Sequence, residues 1–235
     1  MKKVCLLLLV IALGNSRLSA FSLKNLTVGP EVGLNISNYY GQLSGEPISN
    51  LTVRGLRIGA VANYKLNKRF SLQTGLLYVA NGFEPLKGDR IYSKELQVHT
   101  LQLPLMATAK INVRGGNTAF VGLGPYVAAN VAGTTKISNK ITLPYIAYEN
   151  ITRDLRVGSG EEDDLKMIDF GLCAQVGYLL TNGLYLKVHY QSGILNLLPG
   201  GDSQNSLRNY NFGFSAGYLL HIKERKGVAD IKKVP

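Results

Sequence analysis

Residues 26–37 read LTVGPEVGLNIS, and they separate into two unlike faces when alternate positions are compared. The even positions are all apolar, whereas the odd positions are Thr27, Gly29, Glu31, Gly33, Asn35 and Ser37. Neighbouring side chains of a β-strand point to opposite faces. The stretch therefore predicts a strand with one apolar face and one face made of glycine and polar groups.

The same division recurs along the chain. On one face, glycine accompanies the polar residues Arg57, Gln73, Asp169, Gln175, Lys187, His189 and Asn211. The glycines are Gly29, Gly33, Gly55, Gly59, Gly75, Gly122, Gly124, Gly171, Gly177, Gly193, Gly213 and Gly217. Such a face suits the narrow interior of a small barrel, and the apolar face must then point outward, toward lipid.

Eight alternating segments are found, each about as long as a tilted strand that crosses the hydrocarbon layer, ~9–11 residues. They cover residues 26–37, 55–65, 70–80, 98–111, 118–131, 166–179, 184–194 and 209–221. The connections 66–69, 112–117 and 181–183 are short, and the other four are long. Short turns on one rim and long loops on the other are typical of outer-membrane barrels. We predict an all-β fold, an eight-stranded antiparallel transmembrane up-and-down barrel with both termini in the periplasm.

Targeting signals fit this location. Residues 1–20 resemble a secretory signal peptide, with Lys2 and Lys3 before a short apolar run and cleavage after Ala20 or Ser16. Its removal lowers the formal net charge from +11 to +8, because Lys2, Lys3 and Arg17 leave with it. Only Cys173 then remains, so no intramolecular disulfide can form. We divide the chain into a signal peptide (1–20), an outer-membrane β-barrel (21–222) and a basic periplasmic tail (223–235).

The basic charge does not indicate nucleic-acid binding. Lysines and arginines lie mostly at strand ends, in turns and in the tail, and they form no continuous basic face. At those places they favour outer-membrane lipid headgroups as partners. No stretch after the signal is apolar over eighteen residues, so a transmembrane helix is excluded.

Charged side chains of mixed sign are expected inside the barrel: Glu31, Arg57, Lys110, Asp169, Lys187 and His189. Eight strands enclose a space only just wide enough for their own side chains. We therefore expect these groups to pair with one another and fill the interior, without a pore. His189 should pair across strands with Gln175, near Cys173, as a satisfied polar group and not as a catalytic pair, since no cleft is recognisable there.

Three further places in the sequence have residues that a functional site could use. His99, with Ser93 and Glu95 nearby in sequence, could serve a lipid-modifying enzyme at the rim. The acidic run 161–164 lacks the alternating spacing of a calcium loop, so we expect a solvated loop. The apolar segment 143–148 either packs over the barrel mouth or offers a partner surface. We assign no catalytic, cofactor-binding or metal residue, and no cofactor.

Three prolines, Pro30, Pro104 and Pro125, lie in the middle of predicted strands. Proline has no N–H to donate to the ladder, and a closed barrel has no edge strand to hold it. We expect bulges or local breaks at these positions.

A set of motifs resembles the PorT-like outer-membrane β-barrel family over nearly all of the mature chain. The motifs are GPxVG at 29–33, LQLPL at 101–105, VGLGPY at 121–126, DFGL at 169–172, NFG at 211–213 and GY at 217–218. The resemblance implies a small outer-membrane barrel, and some members of the family serve type IX protein secretion. It supplies no catalytic residues. The chain departs by continuing through residues 223–235, which hold five basic and two acidic side chains.

These observations predict a non-enzymatic barrel that acts as an anchor or accessory subunit. The more specific hypothesis is that it serves type IX protein secretion. Periplasmic or outer-membrane secretion subunits would bind the long loops or residues 223–235. Three alternatives remain: a lipid-modifying enzyme that uses His99, a solitary structural barrel with surface-binding loops, and a soluble ligand-binding barrel. The last would need its apolar face inside.

Overall fold

A computed structural model describes residues 22–48, 50–85, 92–139, 150–160 and 162–221. The predicted signal peptide, the segment 143–148 and the tail 223–235 lie outside the described residues. Eight long strands form the body of the molecule. They are β1 Leu26–Leu43, β2 Asn50–Lys65, β3 Phe70–Pro85, β4 Tyr92–Asn112, β5 Thr118–Asn139, β6 Ile168–Leu179, β7 Leu184–Gly193 and β8 Ser206–Tyr218.

The sheet closes on itself. Each strand pairs antiparallel with the next one along the chain, and β1 also pairs with β8, from Glu31 opposite Gly217 to Gln42 opposite Ser206. The predicted eight-stranded antiparallel barrel is therefore confirmed. Three short strands are added to it: Glu46–Pro47 on β1, Asn150–Asp154 on β5, and Leu220–His221 on the start of β1.

No helix in the described ranges is long and apolar enough to cross a membrane.

The predicted faces are also confirmed. Leu34, Ile58 and Val176 are 66%, 45% and 54% exposed, whereas Glu31 and Lys187 on the opposite parity are 1% and 5% exposed. Apolar side chains cover the outside, and polar side chains fill the bore. A soluble ligand-binding barrel would have the reverse arrangement, so that alternative is wrong.

Connections define two ends of the barrel. At one end, which we call the turn end, residues 66–69, 113–117 and 180–183 join neighbouring strands. At the other, the loop end, the longer connections lie, of which 140–167 between β5 and β6 is the longest. The predicted alternation is confirmed for the long connections 140–167 and 194–205, whereas the predicted long links 38–54 and 81–97 shorten to 44–49 and 86–91 because the strands continue into them. The first strand begins and the last one ends at the turn end.

Several strands run further toward the loop end than the alternation predicted. On β5 the pattern was expected to stop at residue 131, but the strand continues to Asn139. A bulge lies here, because His99 pairs with Ala132 whereas Thr100 pairs with Asn130. The extra residue, Val131, reverses the alternation beyond it. The regular alternation of apolar and polar residues therefore ends at residue 131, although backbone pairing of β5 with β4 continues to Asn139.

All three prolines interrupt a ladder without shifting its register. β1 pairs with the short strand Leu220–His221 up to Val28 and with β8 from Glu31 onward, and Pro30 lies in the gap between them. Pairing of β3 with β4 leaves out Pro104, between Leu105 opposite Thr74 and Gln102 opposite Leu77. Pairing of β4 with β5 leaves out Pro125, between Tyr126 opposite Pro104 and Leu123 opposite Ala107. The expected local breaks are confirmed. The two register shifts lie elsewhere, between Thr52 and Arg57 and between His99 and Thr100.

Candidate functional site

The centre of the bore holds a buried ion cluster around Glu31. Arg57 Nε lies 3.2 Å from Glu31 Oε1, and Lys187 Nζ lies 2.7 Å from Oε2. The Tyr185 hydroxyl donates a hydrogen bond of 2.7 Å to Oε2. All three charged side chains are at most 3% exposed. One carboxylate therefore balances two cations in a space from which water is largely excluded.

Neutral side chains extend this cluster across the bore. Arg57 donates to Gln102, and Lys187 donates to Gln175. Gln175 in turn donates to Gln73, on the opposite wall, at 2.6 Å. The predicted pairing of lumen charges is confirmed for Glu31, Arg57 and Lys187.

Tyr185 reaches Glu31 only because β8 carries glycine opposite it. A Cβ atom placed on Gly217 would overlap the Tyr185 ring and hydroxyl. Glycine on the inner face thus makes room for the large side chains of the neighbouring strands.

Two other lumen charges do not pair as expected. Asp169 accepts hydrogen bonds from the Tyr126 hydroxyl at 3.0 Å and from Asn209 at 3.3 Å, so its partners are neutral. Lys110 does not join the central cluster, and it lines a cavity at the turn end instead. Its position explains this, because Lys110 is only two residues from the turn end of β4 at Asn112.

His189 lies opposite Gln175 on β6, as predicted, and is 3% exposed. Neither ring nitrogen has a hydrogen-bond partner within the described part of the chain. The expectation of a satisfied histidine is therefore wrong. Cys173, which is also buried, donates its thiol to the Gly124 carbonyl at 3.2 Å and lies beside Met106, Tyr126 and Ala128. Nothing places this thiol in an open cleft.

An apolar cluster closes the loop end. It joins inward residues of the strands to residues of the loops, and its buried members are Tyr39, Leu96, Val98, Leu155, Leu165, Leu197 and Leu207. Leu165 and Leu197, both from loops, are 0% and 1% exposed. Strand alternation could not reveal these loop residues. Leu165 is a single leucine between Asp164 and Lys166, whereas Leu197 belongs to the apolar run ILNLL at 194–198.

The acidic loop is bound by arginine. Asp164 makes two hydrogen bonds with the Arg153 guanidinium, at 2.6 and 2.7 Å, and Glu162 pairs with Arg156 at 3.1 Å. Glu161 lies outside the described residues. Across the described ranges, no group of three histidine, cysteine or acidic side chains is arranged to hold a metal ion. The expectation of a solvated acidic loop is confirmed for Glu162, which is 90% exposed, and is wrong for Asp164, whose side chain is 5% exposed in its pair with Arg153.

His99 lies on the outer face near the loop end, next to the bulge. Its Nδ1 is 2.6 Å from the Tyr78 hydroxyl, and the two rings stack with centroids 5.7 Å apart. Glu95 instead contacts Gln97 and Lys136. Glu95 and His99 are four strand residues apart, roughly 13 Å. The structure does not bring them together, and the Ser93 side chain lies outside the described part of the molecule.

A family assignment agrees with this geometry. Residues 15–199 match the outer membrane protein beta-barrel domain family. The chain belongs to that family. It is an outer-membrane β-barrel, and the resemblance seen in the sequence holds at that level, while the narrower PorT-like assignment stays a prediction. A search of curated protein sequences finds no match.

Solved structures with similar folds include several outer-membrane proteins. OprG from Pseudomonas aeruginosa is 9% identical, with a TM-score of 0.47, over 84% of this chain and 97% of that one. Ail from Yersinia pestis is 13% identical, with a TM-score of 0.41, over 83% and 99%. The protease OmpT from Escherichia coli is 11% identical, with a TM-score of 0.31, over 87% and 99%. Identities this low do not transfer a role to this outer-membrane barrel.

Proposed function

We propose that this outer-membrane barrel is a non-enzymatic anchor or accessory subunit, with the turn end and both termini in the periplasm. The observation that carries the proposal is the filled bore. The ion cluster at Glu31 blocks its centre, and the apolar cluster containing Leu165 and Leu197 blocks its loop end. Because the bore has no passage through its middle, partner proteins would bind to the loops, the turns or the tail.

The sharper proposal is a role in type IX protein secretion. Its support is the set of motifs shared with PorT-like barrels, from GPxVG at 29–33 to GY at 217–218. Residues 223–235 continue beyond the last strand and carry five basic and two acidic side chains. A basic extension on the periplasmic side would attract an acidic surface of a secretion subunit.

Deletion and complementation in the native cells test this role. Removal of the gene should abolish the release of proteins exported by the type IX route, and the full chain should restore it. A chain that lacks residues 223–235 should insert normally and restore release weakly or not at all. Normal release in the deletion strain would contradict the secretion role.

Affinity capture in mild detergent separates an accessory subunit from a solitary structural barrel. The full chain should retain periplasmic or outer-membrane secretion subunits, and the chain without residues 223–235 should retain fewer. A barrel recovered alone from both samples would favour the solitary structural role.

A second candidate, a lipid-modifying enzyme at the rim, has one observation in its favour. His99 faces lipid and its Nδ1 is hydrogen-bonded to Tyr78, which is the arrangement of an oriented general base. The proposed non-enzymatic role predicts that His99→Gln leaves the lipid A and phospholipid composition of the cells unchanged, measured by mass spectrometry. A matched control, Tyr190→Phe, removes another hydroxyl from the outer face. A lipid change in the His99 variant alone would support the enzyme.

A further inference from the structure

A cavity of about 460 Å³ opens at the turn end of the barrel. We call it the turn-end vestibule, and define it by four lysines in its wall: Lys24, Lys65, Lys68 and Lys110. Its volume lies within the range of small-ligand sites, roughly 300–1,000 Å³. Threonine and asparagine side chains, including Asn63 and Thr118, complete much of the wall.

The wall of the vestibule carries several positive charges. Among the residues that the structure describes, no aspartate or glutamate lines it. In the described ranges, Lys65, Lys68 and Lys110 have no ion pair with a carboxylate, since every ion pair there involves other residues. Lys65 and Lys110 are close enough to repel each other. Folding therefore holds like charges together where an anion would relieve the repulsion.

A second observation comes from the deep end of the vestibule. A smaller cavity of about 20 Å³ shares Asn63 and Lys110 with it and is also lined by Thr108. Thr108 is 3% exposed, and its hydroxyl has no hydrogen-bond partner in the described part of the chain. Phe120 and Tyr185 form the adjoining wall. A hydroxyl without a hydrogen-bond partner among the described residues thus lines the same small cavity as Lys110, which has no carboxylate partner there.

We propose that the turn-end vestibule binds a phosphate group. A phosphate carries up to two negative charges and three acceptor oxygens, which matches several ammonium groups surrounded by hydroxyl and amide donors. Lys65 and Lys110 supply the charge at the inner wall, and Lys24 and Lys68 surround the opening. The phosphate belongs either to a small free anion or to the headgroup of a phospholipid in the adjacent leaflet. This site is separate from any role in secretion.

Isothermal titration calorimetry of the mature chain in phosphatidylcholine nanodiscs tests the site, at low and constant ionic strength because salt screens such charges. One arm uses inorganic phosphate, and the other uses short-chain phosphatidic acid. Saturable one-to-one binding is expected in at least one arm. The Lys65→Gln and Lys110→Gln double variant should weaken it at least about tenfold, equivalent to roughly 1.4 kcal/mol.

Arg69→Gln is the matched control, because Arg69 lies in the same turn as Lys68 but does not line the vestibule. It should change the affinity less than about twofold, near the median for an exposed charge. Barrel folding of each variant is checked by the heat-dependent gel shift. Binding of phosphate alone identifies a free anion, and binding of phosphatidic acid alone identifies a lipid headgroup. Absence of saturable binding in both arms, or equal weakening by Arg69→Gln, would overturn the proposal.

Discussion

At the scale of single residues, the carboxylate of Glu31 makes a large contribution to the stability of the barrel. Its carboxylate is the charged partner of both Arg57 and Lys187, and all three groups are buried. Removing one member of a buried ion cluster leaves the others uncompensated, which is far more costly than losing an exposed pair. The hydrogen bond from Tyr185 would also lose its charged acceptor.

Glu31→Gln should therefore lower the free energy of unfolding by about 3–5 kcal/mol. The measurement is urea unfolding of the chain in lipid vesicles. Glu95→Gln is the control, because Glu95 pairs with Lys136 where both side chains are partly exposed, at 24% and 47%. That change should cost less than about 1 kcal/mol. Equal losses in the two variants would show that the central cluster does not stabilise the barrel.

At the scale of elements, strands were predictable and loops were not. Alternation placed β6 and β7 within a few residues of their bounds, because both faces of these strands are constrained, one by lipid and one by the bore. The bulge at Val131 reverses the alternation, so one continuous pattern could not be followed into the outer part of β5. The loop leucines were missed because a loop has no fixed period.

In the sequence, Lys24, Lys65 and Lys68 were visible only as charges near strand ends, and Lys110 was expected among the paired charges of the bore. Lys24, Lys65 and Lys110 are far apart along the chain, and only closure of the barrel brings them to one cavity. The pairing of Glu31 with Arg57 was easier to expect, because both lie on the inner face of neighbouring strands. Faces can be read from local alternation, whereas the depth of a side chain along the bore depends on the strand stagger.

The loop between β5 and β6 is held by Leu165, which is 0% exposed in the apolar cluster. Leu165→Ala should cost about 2–5 kcal/mol in this cluster, and the opening should be local. We expect faster trypsin cleavage after Arg153, Arg156 and Lys166, followed by mass spectrometry on intact barrels. Ile151→Ala, in the same loop but 43% exposed, should leave the cleavage rate nearly unchanged. If both variants are cleaved equally fast, Leu165 does not hold the loop.

At the scale of the whole molecule, the filled bore predicts an electrically silent barrel. Polar side chains from opposite walls meet at Gln73 and Gln175, and the cluster around Leu165 lies across the loop end. The purified chain should insert into planar lipid bilayers without steady ion conductance at moderate voltage. Long-lived open channels with a reproducible conductance would contradict this prediction and the anchor role that depends on it.

The direction of the two faces is the claim on which every other statement depends. Methyl groups of the same residue types occur on both faces. Leu34, Leu72 and Val176 are exposed on the outside, whereas Leu77 and Val79 are completely buried inside. Nuclear Overhauser contacts between these methyl groups and lipid acyl chains, measured in nanodiscs, test the claim directly. We predict strong contacts for Leu34, Leu72 and Val176 and none for Leu77 and Val79. Acyl-chain contacts to Leu77 and Val79, with none to the other three, would contradict the account.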